Sequence, residues 1–110
     1  MPHNFESIKS IVEQGKFPTV FPHFGGANLI ITDDPKRNLH EGDTVIYSEH
    51  ASALSWLVVQ LKEIYNPELD YMNKYDFYTY IGELIQSSID ANDELRETML
   101  YVIKKIKEDW

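Results

Sequence analysis

The chain has 110 residues, 43% of them hydrophobic and 25% charged, with no cysteine and a net charge of −8. That length is one domain, burying roughly 65% of its unfolded surface, and the composition is that of a folded chain rather than a disordered one. Disulfides, thiol catalysis and thiolate metal sites are excluded, and the acidity argues against direct contact with nucleic acid or an anionic membrane, whose phosphates it would repel.

Residues 5–14 read as a short amphipathic helix, with Phe5, Ile8, Ile11 and Val12 on one side, Asn4 as its cap and Gly15 as its left-handed stop. Pro18 and Pro22 forbid a helix in the next segment, where residues 17–21 are expected to form a short edge strand and Gly25-Gly26 a turn. Residues 28–32 and 44–47 are β-branched and apolar, as strands are. The polar segment from Asp33 to Asp43 between them reads as a solvated hairpin loop.

From Ser48 the period becomes helical. Ser48 is the expected cap of a helix over 49–65, in which Ala51, Leu54, Leu57, Val58, Leu61, Ile64 and Tyr65 form an inward stripe that Trp56 lies beside. Asn66-Pro67 ends it. Phe77, Tyr80, Ile81, Leu84, Ile85 and Ile89 define a helix over 76–90. A last helix over 93–109 begins at Asp93 and turns Leu95, Met99, Val102, Ile103 and Ile106 inward. The expected fold is α+β in a single domain over 1–110: an N-terminal helix, a small antiparallel sheet of two or three strands, then three amphipathic helices.

Charge is distributed unevenly along this plan. Residues 1–37 are neutral, so the whole net charge of −8 falls on residues 38–110. Within 63–97, nine acids face only Lys74 and Arg96, and five of the seven tyrosines lie in the same stretch. Tyr65 and Tyr80 fit inward stripes. Asp70 and Tyr71, in the connection before the helix, and Tyr75, Asp76, Tyr78 and Glu83, toward its outer face, are the candidate partner-binding residues. Carboxylates steer a basic partner in, and aromatic side chains grip it.

Other chemistry is poorly supported by the sequence. Asp33, Asp34, Glu41 and Asp43 lack the spacing of a calcium loop and alternate with Lys36, Arg37 and His40. His3, His23, His40 and His50 show no metal-binding pair, and Ser52 and Ser55 sit in no nucleophile motif. Gly25-Gly26 is not followed by the Lys-Ser/Thr of a phosphate loop. No catalytic residue, metal or cofactor is expected. Neither a membrane span nor a signal peptide is visible, and with the lack of cysteine this makes the cytoplasm the expected compartment.

Through Tyr71, Tyr75 and Tyr78 and the surrounding Asp70, Asp76, Glu83 and Asp90, the chain resembles in character the small acidic immunity proteins that bacteria pair with toxins. The resemblance implies a protein inhibitor whose partner is a basic toxin, of nuclease type, occluded at its active or substrate site. Three other expectations stand beside it. One is a phage-type nucleic-acid mimic, and another a structural or regulatory subunit that forms a homodimer through its helices. The last is a small hydrolase built on Asp33, Asp43, Glu49 and His50.

Overall fold

The computed structural model describes residues 4–26, 28–34, 44–65, 71–92 and 94–109. Helix α1 spans Phe5–Glu13. A capping box starts it: the Ser7 N–H donates to Asn4 Oδ1 at 2.8 Å, and the Asn4 N–H donates to Ser7 Oγ at 2.9 Å. Gly15 stops it at φ 70°. The Gly15 N–H then reaches the Val12 carbonyl at 3.0 Å and the Lys16 N–H that of Ile11 at 3.1 Å, a Schellman closure that satisfies two helix-end carbonyls.

Strands β1 (Phe24–Gly26), β2 (Leu29–Thr32) and β3 (Thr44–Tyr47) make a sheet in the order β1-β2-β3. β1 runs antiparallel to β2, with Phe24 opposite Ile31, but β3 runs parallel to β2, with Leu29 opposite Thr44. The sheet is therefore mixed, not wholly antiparallel, so β2 and β3 are not partners in a hairpin; the loop expected from Asp33 to Asp43 lies, beyond Asp34, outside the described residues.

The first strand also sits later than expected. Residues 17–21 are not a strand, because Pro18 and Pro22 cannot donate to a ladder. Pairing begins just past Pro22. There the Phe24 N–H donates at 2.8 Å to the buried Oγ of Ser55, and the glycines expected to turn instead pair with Ile30 and Leu29.

Helix α2 (Ala51–Tyr65) is approached by a turn in which the His50 N–H donates to Ser48 Oγ at 3.0 Å. It packs on β1 and β2 and also meets α1 and α4, where α4 spans Leu95–Asp109. Covered on several sides, it buries nearly its whole circumference from Ala53 to Val58. Trp56, expected beside the inward stripe, is accordingly only 5% exposed.

Helix α3 spans Tyr71–Ala91, starting well before the expected residue 76. It lies on β2 and β3 and against α4. Gly82 permits the approach to the sheet: a Cβ there would stand 3.0 Å from Leu29 Cδ1 and 3.7 Å from Thr44 Cγ2. α4 begins after Glu94, whose Oε2 accepts the Glu97 N–H at 2.7 Å as a helix cap. The expected start, Asp93, lies outside the described residues, as do Asn66-Pro67, Trp110 and the Tyr65 side chain.

One core draws on every element, from Ile8 and Val12 of α1 through Leu29, Ile31 and Ile46 of the sheet to Ile106 of α4. The Cα radius of gyration, 13.1 Å, is about that of one domain of this length. The architecture is α+β in the expected order of helix, sheet and three helices.

Candidate functional site

α3 places the candidate residues, and its two sides differ in kind. Phe77, Tyr78, Ile81, Gly82, Leu84 and Ile85 are buried. Tyr75, Asp76, Glu83, Ser87 and Asp90 are exposed, with Thr79 and Gln86 half-buried among them. At 100° per residue these outward positions share roughly one third of the helix circumference. Asp76, Glu83 and Asp90 recur every seven residues, so their Cα atoms form a line on the order of 20 Å long.

The face is held in place by short-range bonds. Thr79 Oγ1 donates to the Tyr75 carbonyl at 3.0 Å, and Gln86 Nε2 donates to Asp90 Oδ1, also at 3.0 Å. Beneath it, Asn28 Nδ2 donates to Thr79 Oγ1 and ties the start of β2 to the helix. Among the described residues, no cation lies within ion-pair distance of Asp76, Glu83 or Asp90. All three are exposed, and Tyr75, 41% exposed, stands at the N-terminal end of the line.

Tyr78 is different. Expected outside, it is 5% exposed, and its ring packs 5.2 Å from that of Phe24 and 5.9 Å from that of Phe77. Burial pushes its phenol above the ordinary tyrosine range. It fastens α3 to β1 and presents no surface to a partner. The spacing carried this signal: Tyr78, Ile81 and Ile85 stand at i, i+3 and i+7, and strand β1 widens the buried arc to include all three.

Of the remaining candidates, Tyr71 begins the helix instead of preceding it, and Asp70 lies outside the described residues. The structure thus brings Tyr75, Asp76 and Glu83 together on one face and removes Tyr78. Tyr80, expected in the core, is half-buried at the other boundary. Its hydroxyl donates to Asp109 Oδ2 at the end of α4. That hydrogen bond first, then desolvation and the charge of Asp109, push its pKa up to about 12.

No protein-family model matches this chain, and neither a curated protein nor a solved structure does.

Two surface features escaped the sequence. Tyr47, at the end of β3, is 47% exposed and shares a shallow cleft of about 440 Å³ with Asp33, Ser48 and Glu49. Strand alternation with the buried Ile46 was the available signal. Around the cleft, His23 Nε2 lies 3.4 Å from Asp33 Oδ1, and His50 Nε2 lies 3.5 Å from Glu49 Oε1. Of the hydrolase candidates, Asp33 and Glu49 therefore share a cleft, His50 pairs with Glu49, and Asp43 lies outside the described residues. Ser55 has its hydroxyl engaged by the Phe24 N–H. Among the described residues, no three histidines, aspartates or glutamates converge to hold a metal.

The second feature is a basic island. Lys9 on α1 and Lys104 and Lys107 on α4 border a cleft of about 560 Å³ between the two helices. No sequence pattern joins residues so far apart in the chain; only the packing of α1 on α4 does.

Proposed function

We propose that this chain is a protein-binding inhibitor that engages a basic partner through the outer face of α3, with Tyr75, Asp76 and Glu83 at the contact. The carrying observation is the line Asp76–Glu83–Asp90, without an ion-pair partner among the described residues, on a helix whose opposite side is packed into the core. Carboxylates already held in a row raise the encounter rate with a positive surface and cost little reorganisation on docking. Tyr75 supplies an amphipathic anchor beside them. Within this class the reading is an immunity protein of the cytoplasm, whose partner is a cognate toxin of nuclease type. The substrate groove of such an enzyme must be positive to hold phosphates, and it would accept this acidic face in their place.

The test uses the full chain as bait, in parallel with an Asp76→Lys/Glu83→Lys variant of equal melting temperature. A basic protein retained by the wild type, released by salt, lost by the variant and inhibited in nuclease activity by the wild type alone supports the reading. Capture indifferent to both salt and the charge reversals refutes it.

A further inference from the structure

The cleft between α1 and α4 differs in chemistry from the acidic outer face of α3. Its floor is apolar, made by Phe5, Leu100 and the buried Ile103. Its rim carries Lys9, Lys104 and Lys107 against Glu6 and Glu108, a local excess of positive charge on a chain of net charge −8. Lys107 Nζ meets Glu6 Oε1 at 3.2 Å and links the two walls. Lys9 and Lys104 have no carboxylate within ion-pair distance among the described residues.

We propose that this cleft binds a free medium-chain fatty carboxylate, its alkyl chain along Phe5, Leu100 and Ile103 and its carboxylate at Lys9 and Lys104. The volume, about 560 Å³, falls within the range of roughly 300–1,000 Å³ usual for small-molecule sites, which are likewise mostly apolar with a few fixed polar groups. Two ammonium groups without a carboxylate partner among the described residues complement an anionic head, and a cationic or neutral head would leave them unanswered. The Glu6–Lys107 pair decides against a partner helix as the occupant. A helix laid in the groove would have to cover or part an ion pair joining both walls, whereas a single alkyl chain along Phe5, Leu100 and Ile103 need not. The site shares no residue with the outer face of α3, so its occupancy is independent of the inhibitor reading.

The test is an amide and methyl NMR titration of the full chain with octanoate, with decanoate below its micelle concentration, and with decyltrimethylammonium. The expected result is shift changes centred on Phe5, Leu100 and Ile103 with the carboxylates, and tighter binding of decanoate than octanoate by about four- to fifteenfold for two added methylenes. In Lys9→Gln/Lys104→Gln, decanoate binding weakens by about tenfold or more, while the melting temperature of this surface variant stays in place. Four results overturn the proposal: no response to millimolar decanoate, equal binding of decyltrimethylammonium, undiminished binding in the double variant, or ligand-free changes at these residues that follow a rise in mass. The last would make a second copy of the chain the occupant.

Discussion

Tyr78 and Phe24 pack with ring centroids 5.2 Å apart and planes tilted at 58°, joining α3 to the edge strand β1. This contact turns a residue suited to a partner surface into part of the core. It also fixes which way α3 faces, and so leaves the arc of Tyr75, Asp76 and Glu83 in solvent.

Tyr78→Ala is therefore expected to destabilise the fold by about 3–5 kcal/mol, the cost of removing a buried aromatic ring. Tyr78→Phe keeps the packing and should stay within about 1.5 kcal/mol of the wild type. Urea unfolding followed by circular dichroism separates the two. A mild Tyr78→Ala would show that the ring does not anchor the helix.

Gly82 lies close against the sheet, next to the side chains of Leu29 and Thr44. An alanine there gains up to about 1 kcal/mol of helix propensity, but its Cβ crowds Leu29 Cδ1 at 3.0 Å. Gly82→Val adds two methyl groups to the same space and should cost about 1–3 kcal/mol, by overpacking. A thermal melt of both variants checks the order, with valine well below alanine.

Asp109 accepts from the Tyr80 hydroxyl and raises its pKa to about 12, against an ordinary value of 10.0. Because the folded-state value is raised, the stabilisation is complete below pH 10.0 and is lost as pH climbs toward about 12. Asp109→Asn should return the Tyr80 titration toward the ordinary value. Carbon-13 NMR of labelled tyrosine rings reads this site by site, and an unmoved Tyr80 curve would contradict the assigned cause.

Asp76→Lys/Glu83→Lys changes two exposed side chains without ion-pair partners among the described residues. Each substitution should alter stability by no more than about 0.5 kcal/mol. Association with a basic partner should slow by at least about tenfold at low salt, with a smaller penalty at high salt. Stopped-flow binding across a salt series measures both. Equal slowing at every salt concentration would remove steering as the cause.

Some of this molecule was legible residue by residue. Asn4 and Gly15 mark the ends of α1 because capping and a left-handed stop are properties of a few neighbouring residues. The stripe of Met99, Val102, Ile103 and Ile106 defines α4 for the same reason, since helical periodicity is local. The strands at 29–32 and 44–47 announced themselves through β-branched residues. The acidic, tyrosine-bearing character of 63–97 is a matter of composition, and it led to Tyr75, Asp76 and Glu83.

Tertiary structure decided what depends on neighbours far along the chain. The parallel pairing of β3 with β2 is a tertiary outcome, since β-branched runs specify strands but not the direction in which they pair. Phe24–Gly26 becomes a strand because β2 offers it a ladder and Ser55 takes its first N–H. Trp56 and Tyr78 are buried because the sheet and the other helices cover arcs that a lone amphipathic helix would leave open. The lysine-rimmed cleft exists only where α1 lies on α4. Local sequence specified the existence of the helices, strands β2 and β3 and the sign of the surface charge, since these need only nearest neighbours. Pairing direction, burial arcs and the sites between elements were set by packing, because their energies come from contacts the chain makes only once it has folded.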